Sequence, residues 1–465
     1  MRPLWPLPCA RRIAWRTIRR HPAPGGKSSH TCASCASTPR RNPRLGDLEM
    51  GSLRGYFVVL AFGLSALAAA GIANVMIDPY LLYRSPRIEG FNLHKTRFFY
   101  GQYYAKPRLL EAVAPQHLVL GTSTAGGSLR PDHSGFRGER AFNYALAGST
   151  PYLQSLALAQ AMRVGELHSV IVCVDFFAYN AFMDQRAFRQ FEQDVEPGDG
   201  LRVAWRRARR DIETRLARAL HWNSLVSSLA TVREQDEPGS NGEFRDIRSD
   251  GVWQNPRPVG WPQVRLFSTI ERQYLSTGWF PEPARRFAFE DAHGRSTLSE
   301  LRAILIAAKQ VGAGVSVAIM PFHARYAEAM YAAGLWDEFD TLKRRIVALS
   351  VQPESGGDVR VWDFSGYHAL SMDPVKGAAH DTPWFDDAIH PSTATGDRML
   401  RRILQEPSGE AEFGRLLEPA TLEASLAAAV RRRAEYQALN PADVAQVREI
   451  ARQTAAARVP PAGVN

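Results

Sequence analysis

From Gly55 to Ile77 the chain runs for 23 residues without a charged side chain, and only Ser65 and Asn74 interrupt its apolar character. A stretch of that length is sufficient to cross a bilayer as a helix. Arg40, Arg41, Arg44 and Arg54 precede it and Asp78-Pro79 follows. Because basic residues favour the cytoplasmic side, the residues after about 78 are expected to be exported. Ala66, Ala68 and Ala70 are small residues of the kind a signal peptidase needs, so cleavage competes with anchoring. The apolar run continues past them through Ile72, Val75, Met76 and Ile77, which fits an uncleaved anchor better than a short signal sequence.

Residues 1–49 have a different character. They hold ten basic residues against two acidic ones, an excess of +8 out of a formal net charge of +10 for 465 residues. The remainder of the chain is therefore close to neutral, and a nucleic-acid partner loses its main support. Cys9, Cys32 and Cys35 lie in the same segment, without apolar periodicity around them. Cys32 and Cys35 have the spacing of zinc ligands, but no second pair follows. A start at Met50 gives Met-Gly-Ser-Leu-Arg-Gly directly before the apolar run, the layout of a short basic leader. Residues 1–49 are accordingly read as a disordered or misassigned leader.

Short apolar runs that end in glycine or polar turns follow the anchor. His117–Leu120 runs into Gly121-Thr122-Ser123, Ala141–Ala147 runs into Gly148, and Ser169–Asp175, Gly314–Met320 and Val359–Asp363 follow. Ser149 or Thr150 before Pro151 signals a helix start. Thr297 and Glu300 have the spacing of a capping box. Strands separated by helices predict an α/β domain over 78–405 with a flavodoxin-like parallel sheet and helices on both faces. Ligands then belong at the carboxyl ends of the strands. Residues 185–290 break the alternation and read as a helical insertion, and residues 409–465 read as carboxyl-terminal helices and a tail.

Three polar positions fall at that ligand edge in a telling order: Ser123 after the first strand, Gly148 after the second, and Asp386-Asp387-Ala388-Ile389-His390 before the last helix. A serine hydroxyl becomes a nucleophile when a base within hydrogen-bond reach takes its proton, and His390 is the candidate base. Asp387, three residues earlier, can hold the imidazole, and Asp386 is the alternative partner. This order resembles the SGNH, or GDSL-type, ester hydrolases and their acyltransferase relatives, most closely the membrane-anchored branch found with bacterial envelope polysaccharide genes. The likeness covers roughly residues 74–405 and is weakest over 185–290. It implies a Ser123, Asp387, His390 triad and an oxyanion hole formed by Gly148 and Asn180.

Two departures from that family stand out. The first block reads Gly121-Thr122-Ser123 instead of Gly-Asp-Ser, and the third, usually Gly-x-Asn, offers Asn180 only at a shifted spacing. Asp175 is read as a cap of the segment after it, His323 as a structural histidine or a substrate contact, and Asp363 as a further pocket-lining residue. The glycines from Gly121 to Gly127 lack the lysine of a phosphate-binding loop, and no cofactor is expected. Metal ligands at useful spacing are not found along the sequence either. The resemblance implies an inner-membrane, single-pass protein whose carboxyl-terminal domain is periplasmic. Its expected activity is serine ester hydrolysis or O-acyl transfer on an acyl ester of an envelope polysaccharide, O-acetyl foremost. A noncatalytic glycan-binding or polysaccharide-assembly protein on the same fold is the alternative.

Overall fold

The computed structural model describes residues 45–183, 191–192, 195, 198, 200–235, 246–254, 262–355, 359–375, 381–406 and 413–458. Residues 1–44, with Cys9, Cys32, Cys35 and most of the expected leader, lie outside these, as do parts of the insertion and the tail after Arg458. The described residues fall into two units that divide between Phe62 and Gly63. Helix α1 spans Leu45–Ile77. Its portion Leu53–Ile77 is the one described helix long and apolar enough to cross a membrane. Most side chains there point outward, as lipid-facing residues do, Phe62 being 77% exposed, while Asn74 and Ile77 near its end are buried.

The larger unit is built on a six-stranded sheet. Its strands are β1 (His117–Leu120), β2 (Ala141–Asn143), β3 (Ser169–Val174), β4 (Gly314–Ile319), β5 (Arg360–Asp363) and β6 (Arg415–Leu417), in the order β2-β1-β3-β4-β5-β6. The first five are parallel and β6 runs antiparallel to β5. Successive side chains of a strand point to opposite faces, so strands covered on both faces need apolar residues throughout. Here Leu118, Leu120, Val170, Val172, Val317 and Ile319 enter one core, while Val119, Ile171, Cys173 and Ala318 enter the other.

Helices α2 (Gln102–Val113), α3 (Ser123–Ser128), α4 (Pro151–Val164), α5 (Leu201–Ala219), α6 (Trp222–Arg233), α7 (Gln263–Gln273), α8 (Thr297–Gln310), α9 (Ala324–Ala332), α10 (Trp336–Ser350), α11 (Thr393–Ile403), α12 (Leu422–Leu439) and α13 (Pro441–Arg458) surround it. Leu153 and Leu158 of α4 and Leu301 and Ile304 of α8 cover the first face. Ala125 of α3 and Met399, Leu400 and Ile403 of α11 cover the second. The fold is thus α/β with a mostly parallel sheet.

Several local expectations differ from this outcome. β2 stops at Asn143 because that side chain turns onto its neighbours: Nδ2 donates to the carbonyls of Ala125 and Leu129, and Oδ1 accepts from the Ala145 N–H. The capping box at Thr297 does not form, since its hydroxyl donates instead to the carbonyls of Tyr179 and Phe289. Thr150 holds the cap position of α4 without a side-chain cap bond. Within the segment read as carboxyl-terminal helices lies the three-residue edge strand β6, too short to show periodicity.

Candidate active site

β1 delivers its chain at the carboxyl edge of the sheet into Thr122, the N-cap of α3, and Ser123 is the first helical residue. His390 comes from the loop before α11, and its approach to Ser123 depends on how closely α3 and α11 pack. A Cβ at Gly396 would lie 1.9 Å from the Ser128 carbonyl oxygen, so only glycine permits the contact. The loop itself is held from both sides. Phe385 bridges to Pro391, the Asp386 N–H donates to the His390 carbonyl at 2.9 Å, and the His323 N–H donates to the Ala388 carbonyl at 3.0 Å. From α7, the buried Gln263 amide donates to the carbonyls of Thr382 and Phe385 and accepts from the Thr382 N–H.

The outcome is a continuous relay. His390 Nε2 lies 2.9 Å from Ser123 Oγ, and His390 Nδ1 lies 2.7 Å from Asp387 Oδ2. Asp387 Oδ1 accepts the backbone N–H groups of Ile389 and His390, at 2.9 and 3.0 Å, which fixes the carboxylate beneath the ring. Nδ1–H therefore points at Asp387, leaving the Nε2 lone pair for the Ser123 hydroxyl proton. Of the two neighbouring acids, Asp387 is the one that holds the imidazole.

Burial by itself would lower the His390 pKa, but Asp387, with smaller contributions from Asp386 and Asp175, outweighs it and raises the pKa above its ordinary 6.5. An imidazolium cannot accept the serine proton, so Ser123 reactivity is expected to rise with pH along a limb whose midpoint lies above that value. Asp387→Asn removes the largest raising influence and moves the limb to lower pH. The pH dependence of the second-order rate of Ser123 acylation, measured on both proteins, checks the direction of that displacement.

Among the described residues, two backbone N–H groups are candidate donors to an oxyanion. Ser123 is at the first position of α3, where an N–H has no intrahelical acceptor. Gly148 adopts φ +68°, a left-handed conformation that glycine takes without strain, and its N–H makes no hydrogen bond with the described residues. Asn180 does not fit the role expected of it. Its amide donates both hydrogens, to the carbonyls of Trp279 and Arg286 at 3.0 Å each, and its Oδ1 accepts from Phe182 and Ala288. Those bonds tie the end of β3 to the insertion, and no donor is left for a substrate.

Asp175 also departs from its expected role. It makes no cap bond to the helical turn after it. Its buried carboxylate instead accepts from the hydroxyls of Thr122, at 2.7 Å, and Thr124, at 2.8 Å, on either side of Ser123. Burial raises its pKa, and these hydroxyl bonds pull the other way. The threonine in the first block thus has a partner supplied by the third strand, a pairing no local pattern announces. His323 is structural: its Nδ1 accepts from the Arg325 N–H, its Nε2 bonds the Asp373 carbonyl at 2.7 Å, and burial lowers its pKa to about 3. Asp363 is engaged with Lys343 at 2.9 Å and with Ser365.

Beside the relay stands an aromatic wall. Tyr274 lies 5.2 Å from Tyr326 and 5.7 Å from Trp279, ring centre to ring centre. Burial raises both phenol pKa values well above normal, and Asp175 and Asp387 add to the effect. Tyr274 begins a π-helical turn through Gly278, a departure from α geometry often met at functional sites. No family model matches this chain, and a search of curated proteins returns no match.

At the opposite, amino edge of the sheet, three potential metal ligands meet that no sequence spacing revealed. His117, Glu139 and His168 present ligand atoms within 4.8 Å of one another. Glu139 Oε2 lies 2.9 Å from His117 Nε2 and 2.8 Å from His168 Nδ1. Two imidazoles and a carboxylate are a donor set a divalent ion such as zinc accepts, and the same three groups satisfy one another by hydrogen bonds without it.

Proposed function

We propose that this protein is an exported, membrane-anchored SGNH-like serine esterase or O-acyltransferase acting on an acyl ester, O-acetyl foremost, of an envelope polysaccharide. The observation that carries the reading is the Ser123–His390–Asp387 relay, with its 2.9 and 2.7 Å separations, at the carboxyl edge of a parallel sheet. The order β2-β1-β3-β4-β5 of the parallel strands supports the flavodoxin-like part of it. The apolar α1 with arginines on its amino side supports a single-pass inner-membrane protein with a periplasmic body.

In the chemistry this implies, His390 Nε2 takes the proton of Ser123 Oγ as that oxygen attacks the ester carbonyl. The Ser123 and Gly148 N–H groups face the developing oxyanion. Collapse of the tetrahedral intermediate breaks the ester C–O bond, and the leaving alkoxide takes the proton back from His390. Water or a sugar hydroxyl then attacks acyl-Ser123 by the same route, giving hydrolysis or transfer respectively.

The test is labelling of the full chain with a fluorophosphonate probe. The expected result is one covalent adduct, mapped to Ser123 by mass spectrometry and absent from Ser123→Ala. Absence of labelling in folded protein, together with full in vivo complementation by Ser123→Ala, would leave the noncatalytic glycan-binding role instead.

A further inference from the structure

The consecutive helices α5 and α6 have their faces the wrong way round for a soluble protein. Along α5, Trp205, Ile212 and Leu216 recur at helical spacing on the outer side, Trp205 with 63% exposure. The inner side carries Arg207, Asp211, Thr214 and Arg215. In α6 the pattern repeats: Trp222 is 70% exposed, Val226 and Leu229 are exposed beside it, and the buried residues are Ser224, Ser228 and Thr231. Two adjacent helices with polar residues inward and tryptophans outward need an apolar cover.

The position of the pair says what the cover is. Asn74, a polar interruption of the apolar span, donates from Nδ2 to the Ala219 carbonyl at 2.8 Å and accepts from Ser228 Oγ at 2.8 Å. Gly71 permits the approach, since a Cβ there would come within 3.2 Å of Leu220 Cδ2. Tyr80 and Tyr83, just past the span, donate to Ser227 Oγ and to the Arg215 carbonyl. The polar inner faces are thus fastened to the last turns of α1, where the span leaves the hydrocarbon. Arg202 borders the apolar stripe of α5, a position from which a long cationic side chain reaches lipid headgroups, while Arg209 pairs with Glu213 at 2.7 Å and lies over the Trp205 ring.

We infer that α5 and α6 form a monotopic membrane-binding element that lies in the bilayer interface beside α1, with Trp205, Ile212, Leu216, Trp222, Val226 and Leu229 in the acyl boundary and Arg202 at the level of the anionic headgroups. The inference rests on α1 being a membrane anchor and is independent of the chemistry at Ser123. It holds the body against the surface at two points instead of one. Amphipathic helices with this distribution sit about 5–10 Å into the headgroup and acyl boundary.

The full chain, reconstituted at one copy per nanodisc of phosphatidylcholine and phosphatidylglycerol, provides the test. The emission of Trp205 and Trp222 is taken as the difference between wild type and Trp205→Phe/Trp222→Phe, a conservative pair that leaves the fold intact. Lipids brominated at shallow acyl positions are expected to quench roughly half or more of that difference, while aqueous iodide leaves it nearly unchanged. Quenching by iodide and not by bromolipid would overturn the inference. Protection from both, or protection that appears only with two copies per disc, would overturn it too, since the cover would then be protein. Co-flotation of the same sample with lipid reports separately on α1.

Discussion

On the proposed chemistry, replacing His390 with alanine is expected to lower the rate of Ser123 acylation by about a million-fold in folded protein. The size follows from the geometry, because among the described residues the imidazole is the only group bonded to Ser123 Oγ, and a neutral hydroxyl is a poor nucleophile without a base. Asp387→Asn lowers the rate less, by about ten thousand-fold, since the carboxylate orients the ring and stabilises its charge without taking the proton. Asp386→Asn is expected to change the rate by less than about tenfold, since its charge acts on His390 less strongly than that of Asp387. Single-turnover acylation with an activated acetyl ester, alongside circular dichroism of each variant, measures all three. A loss in Asp386→Asn equal to that in Asp387→Asn would transfer the orienting role.

The second large effect is on stability, and it lies away from Ser123. Arg325 of α9 is fully buried and forms a two-pronged pair with Glu271 of α7, at 2.7 and 2.9 Å, both side chains at 0% exposure. Its remaining nitrogen reaches Asp443 and Gln446 of α13, at 3.0 and 2.8 Å. Glu271→Ala leaves a buried guanidinium without its main counter-charge and is expected to cost about 3–5 kcal/mol. Replacing both partners with apolar residues, Glu271→Leu with Arg325→Met, costs less than the single change, because no charge then remains buried unpaired. Chemical denaturation of the full chain in one detergent compares them. A single change that leaves the midpoint where it was would show that water reaches the pair.

That network matters to the site through α7. Glu271 lies two turns beyond Gln263, whose amide holds the loop of His390. Glu271→Ala is therefore expected to loosen the loop as well as weaken the docking of α13. Neither link is legible along the chain, since Gln263 and Glu271 read as ordinary residues of an amphipathic helix.

Much of the architecture was legible because it is encoded in neighbours. An uncharged run of 23 residues determines a membrane-length helix, whatever else the chain does. Apolar runs ended by polar turns, alternating with helical sequence, determine a parallel sheet covered on both faces. Ser123 and the Asp386–His390 segment were legible as candidates because their order along the chain matches the order of elements around such a sheet.

Only the tertiary structure decided which groups meet. Ser123 and His390 are 267 residues apart, and their contact depends on Gly396 letting α11 close on α3. Packing chose Asp387 over Asp386, turned Asp175 onto Thr122 and Thr124, and engaged both amide hydrogens of Asn180 with carbonyls of the insertion. It also brought His117, Glu139 and His168 together from three separate segments. The periodicity of α5 and α6 shows in the sequence that each has an apolar side, but a period carries no direction. Whether that side faces the core or outward was decided by contacts such as those of Asn74, whose two hydrogen bonds fasten the polar sides inward. Local patterns fix the conformation of a segment because they act between residues within a turn or two. Which faces and side chains pair is set by the shape of the whole packed chain.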